Sequence, residues 1–203
     1  MSLEDVARRA GVGPECIRII AKWEGCLKRV APDRYAPYLC PARVPTIGYG
    51  TTVYNQTGRK VSMSDPAITR EKAEELLAYD IGKVYAPAVN RGFNKWQHEN
   101  QQWACVSFAY NCGTYAFTRS TMCWLLKQGQ YERAADEFMK WTRGGGRVLP
   151  GLVNRRRDER RLFLTVPTGR PTVQSPAPAP SPASKPEGRM GVLRWWLKWL
   201  TGR

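Results

Sequence analysis

The chain contains one histidine, His98, and only 17 acidic residues against 32 basic ones in 203. A single imidazole leaves little material for a zinc site or a histidine-dependent nucleophilic triad, so no metal and no cofactor is expected. The six cysteines, Cys16, Cys26, Cys40, Cys105, Cys112 and Cys123, include no CxxC pair, which removes metal-ligand and redox spacings. Cys105 and Cys112 are seven apart, on one face if that segment is helical. That is too far to bridge, so they read as core thiols. No phosphate loop and no dinucleotide-type GxGxxG occurs, and nucleotide chemistry loses its usual signatures. No apolar run reaches the ~20 residues of a bilayer span. The segment MSLEDVARRAGVGPECIRIIAKWEG lacks an apolar stretch of signal-peptide length. The expectation is a protein made and kept in the host cytoplasm with reduced thiols.

The shortage of acid leaves a formal net charge of +15. Six of the basic residues and one of the acidic residues lie from Val166 onward, so both parts of the chain are basic. Such a field favours polyanions: nucleic acid, anionic lipid or acidic polymers of a bacterial envelope. No nucleic-acid recognition motif accompanies it, so no specific nucleic-acid partner is expected. Eight tryptophans and nine tyrosines are also present. Aromatic faces suit sugar stacking, although core packing accounts for most such residues.

Along the chain, Ser2 can cap a short helical turn through Arg9, and Gly11 to Gly13 break it. Pro14 suits the first position of a second helix, in which Ile17, Ile20 and Trp23 recur at helical spacing until Gly25. Glu24 therefore sits at a helix C-terminus, where the macrodipole disfavours its negative charge. From Tyr35 to about Met63 the pattern turns β-like. TIGYGTTVY is β-branched and aromatic, Asn55 to Gly58 is a turn signal, and RKVSM can return, giving a small hairpin or three-stranded sheet. Thr69 caps a helix with Ala73, Leu77, Ile81 and Val84 on one stripe. An apolar stretch from Trp103 to Tyr110 and helices near 120–128, 131–141 and 151–164 complete a mostly helical part. The arginines at 155–157 and 160–161 read as a solvated helix face attractive to wall polymers. The fold class expected is α+β, a small hairpin lobe and a mostly helical lobe with a cleft between them.

Residues 166–189 form a Pro/Ala/Ser linker without core-forming residues. In the segment 190–203, Arg194, Lys198 and Thr201 fall on one helical stripe. Val192, Leu193, Trp195, Trp196, Leu197, Trp199 and Leu200 fill a wide apolar arc. A cationic amphipathic helix of this kind belongs at a membrane interface, on anionic lipid or lipopolysaccharide.

With triads and nucleotide sites removed, what remains is a carboxyl beside a glycine-bearing hairpin. Glycoside hydrolysis uses a protonated carboxyl to donate to the leaving oxygen, and a second group to activate water or stabilise the oxocarbenium-like state. The blocks IAKWEGCL (20–27) and CPARVPTIGYGTT (40–52) resemble the N-terminal signature of phage lysozymes, glycoside hydrolase family 24. FAYNCG (108–113), RSTM (119–122), AADEFMKW (134–141) and GGGRVLPGLVNRRRDERRLF (144–163) resemble later family blocks in the same order. The resemblance covers about residues 14–165 and implies a lysozyme-like catalytic domain over 1–165. It also implies cleavage of the β-1,4 bond between N-acetylmuramic acid and N-acetylglucosamine in peptidoglycan, by a monomer that reaches the wall on lysis.

The family motif is a Glu, an Asp or Cys nine positions on, and a Thr six further. Glu24 matches the first and Thr46 the last. Counting back from Thr46 gives Cys40, and counting forward from Glu24 gives Asp33, so the segment around Arg29 to Tyr35 reads as an insertion. Cys40 is favoured because its surroundings match the family. A thiol is a weaker acid than a carboxyl, so its chemistry there is that of a weak base, a water-orienting group or a nucleophile. Asp33 remains the carboxylate alternative. Gly48, Tyr49 and Asn111 are the candidate substrate-binding residues. Two other readings stand beside hydrolysis. A lytic transglycosylase attacks the same bond with one carboxyl, and a non-enzymatic cationic protein would disrupt membranes through the tail.

Overall fold

The structure is a computed structural model and describes residues 2–25, 28–40 and 43–167. Nearly all of the expected linker, and the whole 190–203 tail, lie outside the described residues. The chain divides into two compact units, the first ending at Pro87 and the second beginning at Ala88.

The first unit opens with α1 (Leu3–Ala10). The Ser2 hydroxyl accepts from the Asp5 N–H, and the Asp5 carboxylate accepts from Ser2 in return. This reciprocal cap satisfies two donors that a helix start leaves free. Gly11, at φ 65°, ends the helix. Pro14 then occupies the first turn of α2 (Pro14–Trp23), which buries Cys16, Ile17, Ile19 and Ile20.

Three antiparallel pairs follow: β1 (Arg29–Ala31) with β2 (Arg34–Tyr35), β3 (Tyr38–Leu39) with β4 (Pro45–Thr46), and β5 (Val53–Tyr54) with β6 (Arg59–Lys60). The Asn55–Gly58 turn joins β5 to β6, as the turn residues imply. Among the described residues these are separate two-stranded ladders and not one three-stranded sheet. The reason lies in TIGYGTT, which folds back on itself. The Ile47 N–H donates to the Thr51 carbonyl at 2.9 Å and the Thr51 N–H to the Ile47 carbonyl at 3.1 Å. Gly48, at φ 59°, makes this loop possible, and a Cβ there would lie 3.0 Å from that of Ala73. The β1–β2 hairpin occupies the segment that reads as an insertion.

Thr69 caps α3 (Arg70–Tyr79), accepting from the Lys72 N–H at 3.1 Å. Ile47, Val61 and Leu76 form a core cluster with Tyr54 and Ile68 packed on it. The stripe from Ala73 to Val84 predicts one continuous α-helix. Instead a π-helical turn runs through Asp80–Tyr85, before α4 (Ala86–Gly92) carries the chain across the unit boundary. Gly82 permits that turn. A Cβ on it would lie 2.5 Å from the Ala10 carbonyl oxygen, so only glycine lets the turn approach the end of α1.

The second unit contains α5 (Glu99–Cys112), α6 (Thr114–Arg119), α7 (Thr121–Lys127) and α8 (Tyr131–Glu137). The hairpin β7 (Arg143–Gly144) with β8 (Arg147–Val148) then leads to α9 (Pro150–Leu164). Phe138 packs edge-to-face on Phe108 and Phe163 at centroid distances of 5.8 and 5.9 Å. Cys105 is buried and Cys112 half-buried, both as free thiols.

The arginine run corrects the sequence reading. Arg157 and Arg161 are exposed, but Arg155 and Arg156 are 2% and 0% exposed. Burial is tolerated because Glu159, also buried, lies three and four positions on along α9. Arg155 Nε donates to its Oε1 at 3.1 Å, and Arg156 Nε lies 3.1 Å from Oε2. Paired charges can be desolvated where single ones cannot. Among the described residues no helix is long and apolar enough to cross a membrane.

Candidate active site

Glu24 follows the last residue of α2 and serves as its C-cap, at φ −95° and ψ 13°. Its N–H donates to the Ile20 carbonyl at 2.9 Å, which fixes the backbone while the half-buried side chain leaves the helix end. Lys22, two residues earlier, holds its ammonium 5.3 Å from the centroid of the Trp23 ring. The carboxyl also acts electrostatically on the phenol of Tyr85.

Cys40 and Thr46 are brought together by strand register. Tyr38 stands opposite Thr46 and Leu39 opposite Pro45. The pairing continues one step further, as the Cys40 N–H donates to the Val44 carbonyl at 3.1 Å. A turn then closes from the Arg43 N–H to the Cys40 carbonyl at 2.7 Å. Because side chains alternate along a strand, Tyr38, Cys40, Val44 and Thr46 share one face of this hairpin. Thr46 is buried, and its hydroxyl donates to the Val44 carbonyl at 2.9 Å. Cys40 is half-buried.

Asp33 lies elsewhere, in the exposed β1–β2 turn at φ 52°, a left-handed conformation that aspartate tolerates. Its Oδ1 accepts from the Arg70 N–H at 3.2 Å and so satisfies a free donor at the start of α3. Arg70 in turn donates to the Tyr35 hydroxyl at 2.8 Å. Tyr49 is buried at the tip of the 47–51 loop. Burial raises its phenol, as does the nearby Glu74 carboxylate, while Arg70 opposes both. Asn111 is buried in the second unit. Its Oδ1 accepts from Arg156 Nη2 at 2.6 Å, and Arg156 Nη1 also reaches the Cys112 sulfur at 3.4 Å.

Two residues that the sequence reading does not single out belong beside this group. Asp80 is 5% exposed, and burial pushes its carboxyl up to about 6. It accepts from Asn55 Nδ2 at 2.8 Å and from Thr51 Oγ1 at 3.4 Å. The signal was available. Asp80 falls on the buried stripe of Ala73, Leu76, Leu77 and Ile81, where an acid is costly without partners. Tyr85 is pushed up to about 12, first by burial and then by the Asp80 and Glu24 carboxylates. Among the described residues no three His, Cys, Asp or Glu side chains gather as metal ligands.

Residues 21–159 match the family described as phage lysozyme. An endolysin of Bacillus phage B103 is 42% identical over 122 residues, which are 60% of this chain and 46% of that protein. The chain thus spans less than half the length of that relative. An endolysin of Acyrthosiphon pisum secondary endosymbiont phage 1 is 38% identical over 141 residues, 68% of this chain and 91% of that one. Among solved structures, the endolysin from Escherichia coli O157:H7 phage FAHEc1 superposes with a TM-score of 0.64 at 30% identity. That superposition covers 77% of this chain and 96% of the other. The α+β architecture is therefore lysozyme-like, as the sequence resemblance implies.

Proposed function

Because the chain belongs to the phage lysozyme family, we propose that it is an endolysin that hydrolyses the β-1,4 bond between N-acetylmuramic acid and N-acetylglucosamine in peptidoglycan and so lyses the bacterial host. The observation that carries the reading is local to the first unit. A carboxyl projects from the end of α2, and a hairpin presents a thiol and a hydroxyl on one face, all inside the family-matched segment. Glu24 is assigned as the general acid that protonates the leaving sugar oxygen. Cys40 is assigned to orient or activate the attacking water, and Thr46 to support it from the same hairpin face. Asp33 is the weaker candidate, since its carboxylate already accepts from the backbone at the start of α3. Gly48, Tyr49 and Asn111 stand as substrate-binding candidates. Their burial makes backbone contact and loop shape the means by which Gly48 and Tyr49 act on a sugar.

Product analysis tests the reaction class. Digestion of purified peptidoglycan is expected to leave reducing-end muramic acid, read by mass spectrometry. Products carrying 1,6-anhydro rings would instead identify a lytic transglycosylase, in which the sugar's own hydroxyl replaces water.

The 190–203 segment is assigned to anionic membrane or lipopolysaccharide on sequence pattern alone. In this reading the enzyme waits in the host cytoplasm and reaches the wall at lysis, while the tail loosens an anionic outer membrane. Deleting residues 190–203 is expected to reduce killing of intact Gram-negative cells while leaving activity on purified wall within about twofold. Equal loss on both substrates would contradict this division of labour. Retained lysis by a catalytically dead full-length chain would favour a membrane-disrupting protein without enzymatic action.

A further inference from the structure

Between Glu24 and Thr46 the chain carries four cations, Lys28, Arg29, Arg34 and Arg43, and one acidic residue, Asp33. All four cations are exposed. Among the described residues none of them takes part in an ion pair, whereas the exposed Arg8, Arg18 and Arg59 each face a carboxylate at 3.2 Å or closer. The β1–β2 hairpin that holds the first three is anchored. Asp33 Oδ1 accepts from the Arg70 N–H, so its charge is committed to the start of α3. The Arg70 guanidinium donates to the Tyr35 hydroxyl and stands 5.5 Å from that ring's centroid. Tyr35 also exchanges backbone hydrogen bonds with Ile68 at 2.8 and 2.9 Å. Residues 28–34 are nevertheless all exposed, and Val30 on β1 keeps 54% of its surface.

This rigid, cationic hairpin lies close to the candidate site along the chain. Arg29 is five residues from Glu24, a reach of at most ~18 Å. Only Ala36 and Pro37 join β2 to β3, the strand that leads to Cys40. Arg43 adds a second signal. It stands at φ 53°, a left-handed conformation that glycine adopts freely and a bulky side chain rarely adopts. Its N–H closes the turn onto the Cys40 carbonyl, and glycine could make that bond equally well. A cation kept against the backbone preference, and not paired within the described chain, points to a partner outside the fold.

We propose that Lys28, Arg29, Arg34 and Arg43 form a substrate-recognition surface that takes the carboxylates of the peptide stems of peptidoglycan. This inference rests on the proposed function. In the bond assigned there, the N-acetylmuramic acid unit carries the stem, so each cleavage brings an acidic peptide to the unit that holds Glu24. Guanidinium groups match carboxylates with paired hydrogen bonds. A hairpin already anchored loses little freedom on binding. Charges on an exposed edge strand also oppose aggregation, and that role alone would be indifferent to their sign.

The test measures kcat and KM of the full chain on purified peptidoglycan, intact or with its stem carboxylates converted to amides by carbodiimide and ammonia. The double variant Arg29→Glu/Arg34→Glu is expected to raise KM about tenfold on intact peptidoglycan, with kcat within about twofold. On the amidated material it should match the parent. Lys127→Glu/Arg157→Glu makes the same change in net charge at exposed positions of the second unit and should leave KM within about twofold. Arg43→Gly is expected to hold the unfolding midpoint at or above the parent's, since glycine takes this φ without strain, yet to raise KM about threefold. A purely structural role would move stability and leave KM in place. Thermal unfolding checks each variant, and Arg29→Gln/Arg34→Gln decides if the glutamates disturb the hairpin. Folded, active variants with the parent's KM overturn the proposal, as does an equal rise on amidated peptidoglycan or in the second-unit control. A parent chain that releases no reducing ends from either material overturns the proposed function itself.

Discussion

Glu159→Gln is expected to lower the unfolding free energy by about 3–5 kcal/mol, the range for breaking a buried ion pair from one side. Arg155, Arg156 and Glu159 are 2%, 0% and 0% exposed, so no water can replace the lost charge. The carboxylate also accepts from the Ser107 hydroxyl at 2.7 Å, which fastens α9 to α5. Glutamine has the same shape and retains an acceptor oxygen. The loss therefore isolates charge: two guanidinium groups would remain buried without the Glu159 carboxylate that both now face. Neutral groups beside them include Asn111, the Cys112 sulfur, the Ser107 carbonyl at 3.3 Å from Arg155 Nη2, and the Phe108 ring 5.0 Å from Arg156. For a domain of this size the expected fall in midpoint temperature is about 10 °C. The pair between Arg160 and Asp136 gives the contrast. Its side chains are 41% and 64% exposed, so Asp136→Asn should cost less than about 1 kcal/mol. Equilibrium denaturation of both variants checks the difference, and equal small losses would contradict the account of a buried charge network.

What could be read from the sequence is what local rules govern. Ser2, Gly11, Pro14, Thr69 and the Asn55–Gly58 turn each act within a few residues, and each marks the boundary that the structure shows. The π turn at Asp80–Tyr85 was not legible, because the constraint on Gly82 comes from Ala10, seventy-two positions away. Helical periodicity carried the apolar stripe straight through it. The burial of Arg155 and Arg156 is hidden from the sequence for a related reason. Charge runs are usually solvated, and although Glu159 is visible at the right spacing, Ser107 lies 52 residues distant. The short helix α6 and the β1–β2 and β7–β8 hairpins are too brief to generate a period. At the candidate site, Glu24's position followed from helix-ending signals. The shared face of Cys40 and Thr46 needed the strand register, and the links from Asp80 to Thr51 and Asn55 needed the tertiary fold.

Glu24→Gln is expected to cost about 10²- to 10⁴-fold in kcat on purified peptidoglycan, the usual contribution of a positioned general acid. An amide can accept and donate hydrogen bonds at the end of α2, but it has no proton to give to a leaving sugar oxygen. The substitution conserves shape at a half-buried C-cap, and the Glu24 N–H still donates to the Ile20 carbonyl, so folding should be spared. Cys40→Ser is expected to cost less, about tenfold, because a hydroxyl can still orient water from the same hairpin face. Asp33→Asn is expected to remain near the parent, since asparagine also accepts from a helix-start N–H. The direct test is the rate of release of reducing ends from purified peptidoglycan by these three folded variants side by side. Near-complete loss is expected for Glu24→Gln, partial loss for Cys40→Ser and little change for Asp33→Asn. A Glu24→Gln variant within tenfold of the parent would contradict it.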